Sequence, residues 1–222
     1  MAPTVGIAGL TGKFAQSITR VLLANPAVKI HGYCRSPSKL PADLTSSPRI
    51  NITQGDADDA ASIRKFVRGC NVVLCGYLGD PTLMTNGQKT LIDACADEGV
   101  SRYIAGDFCM DLAQIPKGAL PPKDACKEIQ EYLQTKQSVQ GTHIYIGVFM
   151  ETLWSNYMPF WDPATKTLTY WGTGKEVWES TTYGTAAEFT AKVALDESAT
   201  GPQHCITPFL LFSPSLRILH TW

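Results

Sequence analysis

The sequence predicts an α/β fold of the doubly wound kind, a parallel sheet with helices over both faces. Three observations lead there. Short runs rich in β-branched residues alternate with amphipathic stretches through the first 150 residues, in the order βαβαβαβαβαβ. Turn and capping residues fall between the two kinds of segment. A glycine-spaced turn follows the first strand and opens the first helix.

Taken in order, the first strand is expected at Thr4–Ala8 and the first helix at Gly12–Leu23, which Asn25-Pro26 stops. The second strand runs over Lys29–Cys34. Loop residues crowd Ser36–Pro48, and a third strand follows at Ile50–Gln54. Asp58-Asp59 can cap a helix over Ala60–Val67. Val72–Tyr77 reads as a strand and Leu83–Glu98 as a helix, with Gly99 placed after it as a helix C-terminal glycine should be. A strand at Arg102–Ala105, loop signals over Ile115–Pro122, a helix from about Lys123 to Thr135 and a strand at His143–Phe149 complete the series.

After Met150 the texture changes. Trp154, Tyr157, Trp161, Tyr170, Trp171, Trp178 and Tyr183 crowd a stretch ending near Asp196. Such enrichment suits the wall of an apolar pocket or a small hairpin layer packed on a sheet. From Gly201 onward there is no acidic residue and neither helical nor strand periodicity. The chain therefore divides into a nucleotide-binding domain over residues 1–150, a partial lobe over 151–200 and an atypical tail over 201–222. That lobe is expected to be incomplete and the tail to be an alternative or misread C-terminus, whose Leu- and Phe-rich segment would favour association.

Composition narrows the function. A chain of 222 residues supports one α/β domain with a full core. The formal net charge is −1 and Lys and Arg form no run, so nucleic acid and anionic membranes are poor partners. A small-molecule ligand suits better; self-association is left open. The opening MAPTVGIAGLTGKF lacks the features of a secretory signal, and no apolar stretch is long enough to span a bilayer, so a cytoplasmic location is expected. The seven cysteines are odd in number and include no CxxC pair, which reads as small buried hydrophobes. No His/Cys/carboxylate spacing suggests a metal site, and no GxSxG suggests a hydrolase. His31 and His143 sit in apolar strands, as packed residues do.

Gly6, Gly9 and Gly12 allow two registers for the glycine turn. The strand needs Val5–Ala8, so the turn begins at Gly9, with Gly12 at the helix entrance and Ala15 in the third small position. Such a turn aims backbone N–H groups and the positive end of a helix dipole at a pyrophosphate, here from Leu10, Thr11, Gly12, Lys13 and Phe14. The end of the second strand selects the nucleotide. An Asp or Glu there would accept from a ribose 2′-hydroxyl, but the chain reads Cys34-Arg35-Ser36, with Lys39 beyond. Arg35 can grip a 2′-phosphate and Lys39 adds a second positive charge, so NADP(H) is the expected cofactor. Asp56, just past the third strand, is a candidate contact for the adenine amino group or a helix cap.

With these residues the sequence resembles the NmrA-like and isoflavone-reductase-like branch of the atypical short-chain dehydrogenases. The resemblance rests on Gly9-Leu10-Thr11-Gly12-Lys13-Phe14, on Cys34-Arg35 with Lys39, on Gly99-Val100-Ser101-Arg102-Tyr103 and on Gly147-Val148-Phe149-Met150-Glu151-Thr152. It implies a Rossmann domain, NADP(H) and a smaller C-terminal substrate lobe. The wider superfamily uses a Tyr four residues before a Lys, and Tyr132 and Lys136 have that spacing. They fall at the end of their helix remote from the ligand edge, so the pair is a decoy. Lys127 stands two turns earlier, and its 15-residue separation from Thr142 matches the spacing of the essential lysine in the isoflavone-reductase-like group. The resemblance makes Lys127 the candidate general acid/base or ribose-holding residue. Lys123, one turn before it, would favour its neutral form by like-charge repulsion. Two readings follow: an NADP(H)-dependent reductase of a small aromatic or carbonyl-bearing metabolite, or an NmrA-like sensor that binds the dinucleotide without turnover. An inactive, truncated remnant is a third.

Overall fold

The computed structural model describes residues 2–153, 155, 158, 160–169, 177–205 and 207–210. Its first half contains β1 (Thr4–Ala8), α1 (Lys13–Leu23), β2 (Lys29–Cys34), the single turn α2 (Ala42–Thr45), β3 (Ile50–Gln54) and α3 (Ala60–Val67). There follow β4 (Val72–Cys75), α4 (Gln88–Asp97), β5 (Arg102–Ile104), α5 (Asp124–Gln134) and β6 (Gln140–Tyr145). The remainder supplies β7 (Val148–Phe149), α6 (Met150–Leu153), β8 (Trp161–Asp162), β9 (Thr167–Leu168), β10 (Val177–Thr181), α7 (Tyr183–Leu195), β11 (Gly201–His204) and β12 (Thr207–Leu210).

Seven strands form one sheet in the order β11-β6-β5-β4-β1-β2-β3, every pairing parallel. Alternation along the strands sends side chains to two cores. Val5, Ile7, Ile30, Leu74, Ile104 and Ile144 meet α1 and α7 on one face. Ala8, Tyr33, Val73, Cys75 and Tyr103 meet α3, α4 and α5 on the other. Both faces are buried, which is why these strands read as continuous apolar runs.

Most predicted elements are present, with adjusted ends. The fourth strand stops at Cys75 and the fifth at Ile104. Leu83–Gly87 is a π-helical turn leading into α4. The sixth strand begins at Gln140 and ends at Tyr145, because Gly147 adopts φ +68 and a Cβ there would collide with the Glu179 carbonyl. That kink delivers β7 to a separate three-stranded sheet, β12-β10-β7, beside the two-stranded β8-β9.

The residues after 150 differ most from expectation. α7 is capped by Thr182, whose side chain accepts from the Thr185 N–H. Its buried face, Ala186, Ala187, Thr190, Ala191, Val193 and Ala194, is small enough to lie close against α1. Gly201–His204, read as lacking strand periodicity, is β11, paired with β6 at the sheet edge. An edge strand needs an apolar pattern on neither side, and Pro202 costs no ladder bond on its open side. Thr207–Leu210 likewise pairs with β10. Of the aromatic residues singled out, Trp154, Tyr157, Tyr170 and Trp171 lie outside the described residues, as do residues 211–222.

Candidate functional site

A parallel sheet brings the C-terminal ends of all its strands to one edge. Here that edge carries the turn after β1, Arg35 after β2, Asp56 after β3, Gly76-Tyr77 after β4 and Gly106-Asp107-Phe108 after β5. The order reverses between β1, whose next strand lies on one side, and β4 on the other, which is the switch point where such sheets open a crevice.

The turn is built from its own backbone. Gly9 sits at φ +77, and a Cβ there would lie 2.7 Å from the Gly76 carbonyl oxygen. The N–H groups of Gly9 and Leu10 both donate to the Tyr33 carbonyl, at 2.8 and 3.1 Å, and that of Gly12 donates to the Gly9 carbonyl at 2.9 Å. Two of the expected phosphate donors are thereby engaged in the fold. Leu10 is also fully buried, its side chain against Gly32, so it shapes the turn and offers no free N–H. The donors left open are Thr11 and the first helical residues Lys13 and Phe14, whose N–H groups have no partner within a helix. No side chain caps α1 and no acid occupies its first turn. These features fit a pyrophosphate at the positive end of α1.

Beside the turn, Arg35 and Lys39 are exposed, and neither side chain makes a hydrogen bond or ion pair among the described residues. Burial pushes the Tyr77 phenol well above its ordinary pKa, and the positive charge of Arg35 opposes that shift. The Tyr77 ring packs against Gly9, and its hydroxyl is buried without a hydrogen-bond partner among the described residues. Asp56 is exposed, its carboxylate without a partner among the described residues; its backbone carbonyl accepts from the Tyr33 hydroxyl at 2.6 Å. The cap of α3 is Asp59, which accepts from the Ser62 N–H at 3.0 Å. The helix-cap role is therefore filled without Asp56.

Lys127 lies in the first turn of α5, half-buried and without an ion pair or hydrogen bond among the described residues. Its neighbour Glu128 pairs with Lys89. Tyr132 and Lys136, at the far end of α5, both donate to Asp93 Oδ1 on α4 at 2.6 Å, and the lysine lies 4.4 Å from the tyrosine ring centroid. The pair clamps two helices together. Sequence reasoning missed Gln88, fully buried, whose Oε1 accepts from the Tyr103 hydroxyl at 3.1 Å and the Gly106 N–H at 2.9 Å. Its Nε2 donates to the Met84 carbonyl, so one amide ties the π turn to the end of β5. Asp107 was missed too. Its buried carboxylate bonds to His143 Nδ1 at 2.6 Å and holds α5 through Gln130 at 3.5 Å. Phe14, Phe108, Phe149 and Tyr183 gather at the same edge, with ring centroids 4.4–5.9 Å apart.

A cavity of about 400 Å³ lies at the opposite edge, lined by Asn71, Arg102, Gln137 and Glu197 among others. Arg102 in its wall donates to the carbonyls of Val193, Ala194 and Ala199 and so closes the C-terminus of α7. That edge holds the fold together, away from the turn.

The model of the NAD(P)H-binding family matches residues 9–141, the stretch that contains the glycine turn, Arg35, Lys39, Asp56 and Lys127. The chain belongs to that family. It is also similar to oxidoreductase ordB of Dothistroma septosporum, 34% identical over 70 residues. That match spans 30% of this chain and 26% of the relative, so the chain aligns with about a quarter of that protein. Among solved structures, an isoflavone reductase superposes with a TM-score of 0.75 at 16% identity, over 92% of this chain and 69% of the other. The NADPH-dependent quinone oxidoreductase QOR2 of Escherichia coli, solved with NADPH, superposes with a TM-score of 0.72 at 19% identity, over 89% of this chain and 67% of that one. At these identities the likeness is one of fold.

Proposed function

We propose that the chain is an NADP(H)-dependent oxidoreductase acting on a small aromatic or carbonyl-bearing metabolite. The observation that carries the reading is electrostatic. Arg35 and Lys39 stand free beside the phosphate turn, and no carboxylate follows β2. A 2′-phosphate gains two cations there and meets no acid at the end of β2. The oxidoreductase name of the similar fungal protein and the NADPH bound to the quinone oxidoreductase support it.

In this reading the open N–H groups of Thr11, Lys13 and Phe14 hold the pyrophosphate, Arg35 grips the 2′-phosphate with Lys39, and Asp56 accepts from the adenine amino group. When bound, the cofactor supplies the hydride. Lys127 holds the nicotinamide ribose or carries the proton from its Nζ. Intrinsic-fluorescence titration of the purified chain with NADPH and NADH tests this. NADPH should bind at least tenfold more tightly than NADH, and Arg35→Glu should remove that preference. Lys127→Ala should lose NADPH oxidation across a carbonyl and enone panel, with NADPH affinity kept if Nζ carries the proton and lowered if it holds the ribose. Equal affinities, indifferent to Arg35→Glu, would overturn the nucleotide assignment; tight binding with no oxidation by the unaltered chain would favour the sensing role.

A further inference from the structure

The aromatic cluster at the crevice contains one hydroxyl, and its placement assigns it a task. Tyr183 is the first residue of α7, reached directly from β10, whose Ser180 and Thr181 pair with Val148 and Phe149 beyond the end of β6. Its ring stacks on Phe14, the second residue of α1, at 5.9 Å between centroids and 28° between planes. Phe149 lies against it at 4.4 Å. Phe14 in turn meets Phe108, from the loop after β5, at 4.8 Å. Four segments that begin or end at the C-terminal edge thus meet in one apolar group, to which α1 contributes the residue just past the phosphate turn.

The tyrosine is held from its backbone as well. Both oxygens of Glu151 accept from the Tyr183 N–H, at 2.9 and 3.1 Å, and so cap α7 and fix the residue's position. Ring and main chain are therefore anchored, yet the hydroxyl makes no hydrogen bond among the described residues and is not enclosed. A phenol whose ring is packed and whose oxygen is free has its donor pre-oriented. Little side-chain entropy is lost when it meets an acceptor. The rings packed against Tyr183 are those of Phe14 and Phe149, and the nearby Glu151 carboxylate is committed to the Tyr183 N–H, so the acceptor such a place selects is a single oxygen on an otherwise apolar molecule.

We infer that Tyr183 binds and orients the substrate by donating its hydroxyl to a carbonyl oxygen of an apolar, aromatic-sized ligand. The inference rests on the oxidoreductase reading and deepens it. No proton need leave the phenol; the hydrogen bond fixes which atom of the ligand faces the nicotinamide end of the crevice.

Two probes of one shape test this against the full chain saturated with NADP+: 2-acetylnaphthalene, which carries a carbonyl oxygen, and 2-isopropenylnaphthalene, in which a CH2 group replaces it. Calorimetric titration should show the ketone binding about tenfold more tightly than the alkene, the worth of one neutral hydrogen bond. Tyr183→Phe keeps the ring and should abolish the difference by weakening only the ketone, with NADP+ affinity and the thermal midpoint unchanged. Failure of the ketone to bind the unaltered complex, or a preference for it that survives Tyr183→Phe, overturns the assignment. Failure of NADP+ itself to bind overturns the cofactor reading and the inference with it, and is distinguished because it is seen before either probe is added.

Discussion

Gly9 satisfies two demands that no other residue meets together: a left-handed backbone at φ +77 and room for the Gly76 carbonyl where a Cβ would stand. Gly9→Ala is accordingly expected to cost roughly 1–3 kcal/mol of stability from the backbone alone. The larger effect should fall on the turn, since the N–H groups of residues 9 and 10 bind the Tyr33 carbonyl and set where Thr11 and Lys13 point. Urea unfolding together with NADPH titration checks both; an alanine variant of unchanged stability and affinity would refute the account. Tyr132 and Lys136 show the opposite case. Their spacing copies a catalytic pair, but both side chains are committed to Asp93, whose hydrogen bond also raises the lysine's pKa.

At the scale of elements, α7 depends on Arg102. The guanidinium is almost wholly buried, and it reaches three carbonyls at 2.8–3.1 Å at and beyond the end of the helix. A charge-assisted bond to a helix C-terminus gains from the dipole, and removal leaves buried acceptors without donors. Arg102→Met is expected to destabilise the chain by about 3 kcal/mol, measured as a lowered urea midpoint. Nucleotide affinity should be retained in the folded fraction, because Arg102 is at the opposite edge from the turn. A variant as stable as the parent would show that α7 is held by its alanine face alone. The Ser101-Arg102 motif that pointed to a family is, in physical terms, a helix cap supplied from a strand.

For the whole molecule, the cysteines set a limit at alkaline pH. All seven are free thiols, six of them buried. Burial pushes Cys70 and Cys75 up to about 12, and burial with the nearby charge of Asp107 pushes the Tyr145 phenol up to about 12. The folded state therefore holds these protons more tightly than the unfolded chain does. Their contribution is fully present below pH 9, where the unfolded thiols begin to ionise, and is lost as pH rises through the folded values near 12. Each thiol makes stability fall by about 1.4 kcal/mol per pH unit inside that window, and the Tyr145 phenol does so from its ordinary value of 10 upward. Urea midpoints taken from pH 8 to 11 should decline, and Cys75→Ala should lessen the slope; a flat profile would count against burial of these thiols.

How much of this was legible depended on how local the signal is. β1, β2, β3 and α3 have the ends expected from the sequence, because each is a short apolar run bounded by its own turn or cap residues. The turn at Gly9, the place of Arg35 and Lys39 just beyond β2 and the remoteness of Tyr132 were legible for the same reason: they follow from strand order and helix direction. β11, α7 and Gln88 were not, since each acquires its role from residues far along the chain. An edge strand such as Gly201–His204 is defined by its partner β6, and a buried amide by the groups it happens to meet. The nucleotide-binding layout was thus determined by the sequence alone, through alternation, caps and glycines. Only the tertiary structure decided which of the expected N–H donors stay open and how the later elements close the sheet, and it alone gathered Phe14, Phe108 and Phe149 with the ring of Tyr183, whose hydroxyl has no partner among the described residues. Those outcomes depend on distances between segments that local propensity does not encode.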